Sequence, residues 1–180
     1  MQATLSGPRV TLRPLDERDV DDQLRAVQDP EQLRLTGTHR TFTRTDIEAW
    51  CRSRAQAPGR YDWAVVETAG GAWVGECALN DIDPDNESAS FRIALDRRLG
   101  QGLGTEATGL VLDFAFGELG LHRVELEVFD FNLRARKSYA KSGFTVEGVK
   151  RGGLLWEGER HDVIMMAALS PGGIPGAQDR

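Results

Sequence analysis

The chain has 180 residues, a formal net charge of −6 and a sequence pI near 5.1. Its length predicts one domain with a full two-layer core and excludes a second sizeable lobe. The acidic balance argues against a nucleic-acid partner and favours a cationic one, and no apolar run is long enough to cross a bilayer, so no membrane partner is expected either. With only two cysteines, Cys51 and Cys77, and no signal peptide, we expect a cytoplasmic protein without a disulfide framework.

The first part of the chain predicts a strand and two helices. Apolar and polar residues alternate over 9–15, which predicts a strand that Pro14 confines to an edge or terminal place. A helix capped by Asp16 follows and ends at Asp29-Pro30, and Thr43 with Asp46 marks the start of another helix. The connection over 31–41 has no clear period, and we expect an irregular or frayed helical connection that could form one wall of a cleft.

The rest of the chain predicts a mixed sheet. Three strands separated by turn residues indicate an antiparallel meander, and helices then alternate with strands in the order β-α-β-α-β. The fold class is therefore α/β with an α+β mixed sheet and helices on both faces. We expect a single domain over 1–170 and a disordered tail over 171–180. The predicted strands are 61–67, 72–81, 89–95, 123–129, 144–150 and 160–169, and the predicted helices are 106–116 and 133–142.

Glycine stands at every second position between the meander and the next helix, at Gly100, Gly102 and Gly104. Such a loop lets backbone N–H groups approach an anion without a Cβ in the way, and the following helix directs its positive end at that anion. The pattern indicates a phosphate cradle, although a turn without a ligand has the same spacing. A dinucleotide fingerprint is disfavoured, because residues 96–101 separate the strand from the glycines and the chain after Thr108 is too short for the other half of a doubly wound sheet.

The predicted helix over 133–142 carries a second group of candidate functional residues. Asn132 is a good cap for its start, and Gly143 ends it. Tyr139 follows Asn132 by two helical turns, so both side chains lie on one face. The alternative is that Asn132 only caps the helix and Tyr139 only packs.

Taken in chain order, these segments resemble the Gcn5-related N-acetyltransferase (GNAT) family, in particular its RimJ/RimL-like ribosomal-protein N-acetyltransferase branch. The resemblance covers most of the chain. It rests on Val10 to Leu15, Trp73-Val74-Gly75, the glycine loop with Thr105-Glu106-Ala107, Leu121 to Val124, Asn132 to Phe144 and Asp162 to Met166.

The resemblance implies a GNAT-like acyl-CoA N-acyltransferase fold, with the sheet splayed between strands 89–95 and 123–129 and acetyl-CoA in the gap. No metal is expected. The main chain at Ile93, Ala94 and Leu95 would pair with pantetheine, as an added strand would. The implied cofactor-binding set also contains Leu99, Gly100, Gly102, Leu103, Gly104 and Thr105 for the pyrophosphate, together with Asn132 and Ala135.

Two positions depart from the family pattern. Leu99 stands where Arg or Gln is usual, and Ala135 stands where RimL-like members often carry Ser. The second departure favours Tyr139 as the general acid that protonates the departing thiolate. The general base is one of Glu76, Asp81 and Glu127, and strand alternation alone does not choose between these three residues.

The expected activity is transfer of the acetyl group from acetyl-CoA to a primary amine by direct attack in a ternary complex, since neither cysteine lies in a nucleophile motif. The acceptor is a small-molecule amine or a protein N-terminal amine, and its identity is not readable from the sequence. We expect a homodimer. The alternative function is a noncatalytic acyl-CoA-binding or sensing module.

Overall fold

A computed structural model describes residues 3–54, 57–96 and 100–172 of the protein. Its elements follow the predicted order, with a short strand added at the start and a short helix, Pro30–Thr36, added between the first two predicted helices. In chain order they are β1 (Leu5–Ser6), β2 (Val10–Pro14), α1 (Val20–Ala26), α2 (Pro30–Thr36), α3 (Arg44–Arg54), β3 (Tyr61–Glu67), β4 (Trp73–Asp83), β5 (Ser88–Leu95), α4 (Leu103–Asp113), β6 (Arg123–Phe129), α5 (Leu133–Lys141), β7 (Thr145–Trp156) and β8 (Glu159–Leu169).

The strands form one eight-stranded sheet in the order β1-β2-β3-β4-β5-β6-β8-β7. Neighbours are antiparallel except for β5 and β6, which are parallel. The antiparallel meander and the mixed sheet are therefore confirmed.

The sheet opens between β5 and β6. Their pairing runs only from Ser88 opposite Arg123 to Ser90 opposite Glu125, although β5 continues to Leu95 and β6 to Phe129. The splay that the family resemblance implies is present, and it leaves two strand edges facing a gap.

Helices cover both faces of the sheet, as predicted. The main core packs α4 and α5 against the sheet through residues such as Val65, Phe91, Val111 and Val124. A second cluster joins α1 and α3 through Leu15, Val20, Ile47 and Cys51. The predicted cap at Thr43 is present, since its N–H donates to Asp46 Oδ2 (2.8 Å) and the Asp46 N–H donates to Thr43 Oγ1 (3.2 Å).

The connection over 31–41, predicted as irregular or frayed helical, begins as the regular helix α2. Asp29 caps this helix by accepting a hydrogen bond from the Gln32 N–H (3.0 Å), and Pro30 occupies its first turn, where a missing N–H costs nothing. Gly37 ends it in the left-handed conformation at φ 63°. Asp29-Pro30 therefore ends one helix and starts the next.

Two predictions fall partly outside the described residues. Leu99 lies outside them, and so do residues 173–180 of the expected tail. Among the residues that the structure does describe, no helix is long and apolar enough to cross a membrane, and no cluster of His, Cys, Asp or Glu could hold a metal ion.

Candidate active site

A cavity of about 780 Å³ opens at the splay between β5 and β6. Its wall combines the end of β5, the glycine loop, the end of β6 and the exposed side of α5. Glu76 and Asp81 are not part of that wall. The predicted site residues that line it are Ile93, Ala94, Leu95, Gly100, Gly102, Leu103, Gly104, Thr105, Glu127, Asn132, Ala135 and Tyr139.

The glycine loop ends at the start of α4. Gly102, at φ 81°, precedes the first helical residue, and its carbonyl accepts the Glu106 N–H (3.1 Å). The helix begins three residues earlier than predicted, so Leu103, Gly104 and Thr105 form its first turn, where N–H groups have no intrahelical acceptor. These donors, with the positive end of the helix, suit an anion such as a pyrophosphate.

Arg9 supports this loop from outside the cavity. Its Nη1 donates to the Gln101 carbonyl (2.8 Å), and its Nε donates to Glu106 Oε2 (2.8 Å). Glu106 Oε1 also accepts the N–H groups of Arg9 (2.8 Å) and Val10 (3.0 Å). Partial burial acts to raise the pKa of Glu106, but these hydrogen bonds outweigh it and hold the pKa below its ordinary value. Sequence reasoning missed Arg9, because no spacing rule joins residues so far apart.

The end of β5 presents main-chain groups to the gap. Successive residues of a strand direct their N–H and C=O groups to opposite edges. Because the Asp96 N–H bonds to the Val74 carbonyl of β4 (3.0 Å), the main chain of Ile93 and Leu95 faces the gap. The Leu95 carbonyl is taken by Gln32 Nε2 of α2 (2.8 Å). An extended amide-bearing chain could therefore pair with this edge, as pantetheine requires.

Asn132 and Tyr139, whose spacing predicts a shared helix face, both lie in the cavity wall. Asn132 caps α5 by accepting the Ala135 N–H on Oδ1 (3.1 Å), which leaves its amide NH₂ as a donor. Tyr139 is buried and packs against Phe144, with ring centroids 5.9 Å apart. Burial raises the pKa of Tyr139 to about 12. In the described part of the chain no group hydrogen-bonds to its hydroxyl.

The pairing register of the strands places Glu76 and Glu127 on the same face of the sheet. Alternation along each strand by itself did not decide this. Glu76 pairs with Ala94, and Ser90, on the same face of β5 as Ala94, pairs with Glu125, two residues before Glu127. Glu127 lines the cavity and forms an ion pair with Lys150.

The other two candidate carboxylates do not line the cavity and are bound to neighbouring side chains. Glu76 accepts hydrogen bonds on both oxygens, from Gln23 Nε2 (3.0 Å) and Arg92 Nη1 (2.9 Å). Asp81 sits at φ 52° and pairs with Asn80 beside it. Sequence reasoning missed Gln23 and Arg92, whose contacts with Glu76 come from register and helix packing.

The family model described as "Acetyltransferase (GNAT) domain" matches residues 9–145. The Bacillus subtilis protein named Probable N-acetyltransferase YjcK is 28% identical over 177 residues, covering 93% of this chain and 97% of its own. The protein of the same organism named Putative ribosomal N-acetyltransferase YdaF is 28% identical over 130 residues, covering 72% of this chain and 69% of its own length.

The fold agrees with solved structures. A spermidine N-acetyltransferase from Vibrio cholerae, solved in complex with CoA and spermine, superposes with a TM-score of 0.84 at 22% identity, covering 91% of this chain and 97% of its own. The unpaired edge of β5 and the free N–H groups at the start of α4 fit the pantetheine and pyrophosphate of CoA. The chain thus belongs to the GNAT family and is an acetyl-CoA-dependent N-acetyltransferase.

Proposed function

We propose that the amine attacks acetyl-CoA directly within a ternary complex and that Tyr139 is the general acid. The observation that carries this proposal is the buried phenol in the cavity wall, on the helix face that also carries Asn132. Because burial raises the pKa of Tyr139 to about 12, the hydroxyl keeps its proton throughout the neutral range. A general acid must be protonated before it acts.

The same cavity wall contains the residues that we propose for binding acetyl-CoA. Bound acetyl-CoA supplies the thioester, and the C–N bond to the amine forms as the C–S bond breaks. We propose that the free N–H groups of the first turn of α4, with Gly100 and Gly102, hold the pyrophosphate. Ile93 and the Leu95 N–H would pair with pantetheine, and the Asn132 amide would donate to the cofactor.

Glu127 is our proposal for the base, directly or through water. The acceptor ammonium must lose a proton before its nitrogen can attack. Glu127 lines the cavity, whereas Glu76 does not line it and accepts hydrogen bonds on both of its oxygens. Glu127→Gln keeps the shape of the side chain but accepts no proton, so turnover at saturating substrates should fall. If Glu127→Gln turns over at the rate of the parent protein, water alone removes the proton from the acceptor.

A covalent route through cysteine is disfavoured by the same geometry. Cys51 and Cys77 are fully buried, and neither lines the cavity. Burial raises the pKa of the Cys51 thiol to about 12 and also raises the pKa of the Cys77 thiol, so neither is a thiolate at neutral pH. Direct attack by the amine needs no such nucleophile.

Tyr139→Phe tests the assignment of the acid. The ring and its packing remain, so the affinity for CoA should stay nearly unchanged, while turnover should fall by about 10²- to 10⁴-fold. Thiol release under saturating acetyl-CoA, with single-turnover rates, measures the effect.

Tyr61→Phe is the matched control, because Tyr61 packs against Trp63 and Phe114 in the core and is not part of the cavity wall. It should keep the parental rate. If Tyr139→Phe also keeps that rate while chemistry limits turnover, Tyr139 is not the acid.

We place the chain in the RimJ/RimL-like branch, supported by its similarity to YdaF. We also propose a cytoplasmic homodimer that acetylates a small-molecule or protein N-terminal amine. Sedimentation of the purified chain tests the dimer, and fractionation of the source cells tests the location.

A further inference from the structure

Arg92 lies in the cavity wall on β5 and is fixed from behind by two side chains. Its Nη1 donates to Glu76 Oε1 (2.9 Å), and Glu76 Oε2 accepts from Gln23 Nε2 of α1 (3.0 Å). Gln23 is buried, and the Glu76 side chain is only 14% exposed. Gln23, Glu76 and Arg92 thus form a hydrogen-bonded chain from α1 to the cavity. This chain holds the Arg92 guanidinium in place.

Most of the Arg92 guanidinium remains available to a ligand. The side chain is 46% exposed, and within the described residues its Nε and Nη2 have no hydrogen-bond acceptor. A guanidinium presents its donors in a planar fork that matches a carboxylate with two parallel hydrogen bonds. Arg92 is therefore a preorganised anion receptor on the same sheet face as Glu127.

The charges of the wall disfavour a second ammonium group on the acceptor. Among the described wall residues the basic side chains are Arg92, Arg134, Lys137 and Lys141, whereas Glu127 is the one acid and is already paired with Lys150. A polyamine would find no uncompensated carboxylate here and would face the Arg92 charge. The net charge of −6 of the whole chain does not describe this local surface.

We propose that Arg92 is a specificity-determining residue that binds a carboxylate of the acceptor, and that the acceptor is an amine with a carboxylate close to its amino group. This inference rests on the proposed function. Glu76 is then a positioning residue for Arg92. The carboxylate could belong to a free amino acid or to an acidic residue near the start of a peptide, and the chemistry of recognition is the same.

Steady-state acetylation by the whole chain tests the proposal with four groups of acceptors: free amino acids, their amides, short peptides with or without an acidic second residue, and spermidine. The parent protein should prefer carboxylated amines. Arg92→Met should raise the KM for these amines by about 10- to 100-fold, as expected for loss of a charge-assisted pair, and leave their amides nearly unaffected. Arg92→Lys should restore part of the affinity, because it keeps the charge but not the fork.

Arg52→Met is the matched control, since it removes an exposed arginine of α3 outside the cavity wall. It should change no KM. The KM for acetyl-CoA should be unchanged in all variants, which separates acceptor binding from a general disturbance of the site.

Two results would overturn the inference while leaving the acetyltransferase activity intact. One is a higher kcat/KM for spermidine than for any carboxylated amine, and the other is an equal KM change for acids and amides in Arg92→Met. If no amine of the panel is acetylated, the proposed transfer to these amines fails, and calorimetry of amino acids on the CoA-saturated protein decides whether Arg92 binds their carboxylate. Binding that disappears in Arg92→Met supports it, and no binding by the parent contradicts it.

Discussion

Tyr139 is surrounded by apolar groups, and burial alone raises its pKa to about 12. The folded state therefore binds its phenolic proton more tightly than the unfolded state, where the pKa is near 10. The corresponding stability is fully present below pH 10 and is lost as the pH rises toward 12. The loss attributable to this residue is roughly 2 to 3 kcal/mol.

Urea unfolding between pH 9 and pH 12 measures this effect in the parent and in Tyr139→Phe. The parent should lose more stability over that range than the variant, because phenylalanine has no proton to lose. Over pH 6–9 the two curves should run parallel. Equal slopes throughout would mean that the hydroxyl ionises in the folded protein as easily as in water.

For single residues, the sequence predicts relative positions well when the residues belong to the same helix or strand. Helical spacing predicted that Asn132 and Tyr139 share a face, and both line the cavity. The partners of Glu76 were not predictable, since Gln23 reaches it from a helix 53 positions away and Arg92 from the next strand. Only the register shows that Arg92 is held toward the cavity.

At the scale of elements, Arg9 joins the start of β2 to the glycine loop and to α4. Arg9→Met removes its bonds to the Gln101 carbonyl and to Glu106 Oε2 but keeps the main-chain bond to Glu106. The loop should then sample more conformations, so the affinity for CoA should fall about 3- to 10-fold, which corresponds to one net hydrogen bond. Turnover at saturating acetyl-CoA should hardly change.

Calorimetry of CoA binding measures this prediction, and Arg18→Met is the control, because Arg18 is exposed and pairs locally with Asp16. That variant should bind CoA like the parent. An unchanged affinity in Arg9→Met would show that the main chain alone fixes the loop.

The elements themselves were largely predictable, because turn residues separate the strands of the meander and capping residues mark the helices. Two short elements were not. The strand β1 has two residues that are ordered by pairing with β2, so its structure is decided by a tertiary neighbour. Helix α2 is marked locally by Asp29, Pro30 and Gly37, but its seven residues show no clear apolar period, and Asp29-Pro30 was interpreted only as the end of the preceding helix.

At the scale of the whole molecule, the splay divides the sheet into β1–β5 and β6–β8, and the cavity draws its wall from both parts. The glycine loop and the start of α4 suit any pyrophosphate, so they do not distinguish CoA from other adenine nucleotides. The open edge of β5 does, because only a ligand with a pantetheine arm can fill the gap as well. A ligand that contacts both parts of the sheet also resists their separation.

Acetyl-CoA should therefore stabilise the fold, whereas NAD and ATP at equal concentration should not. A ligand at one hundred times its Kd adds about 2.7 kcal/mol to the free energy of unfolding, which for a chain of this size raises the Tm by roughly 5 to 10 °C. Thermal unfolding followed by circular dichroism measures the shift, and CoA without its acetyl group should give a similar value, because the pantetheine arm is the same. A shift with NAD or ATP equal to that with CoA would show that the loop alone accounts for binding and that the gap between β5 and β6 has no part in it.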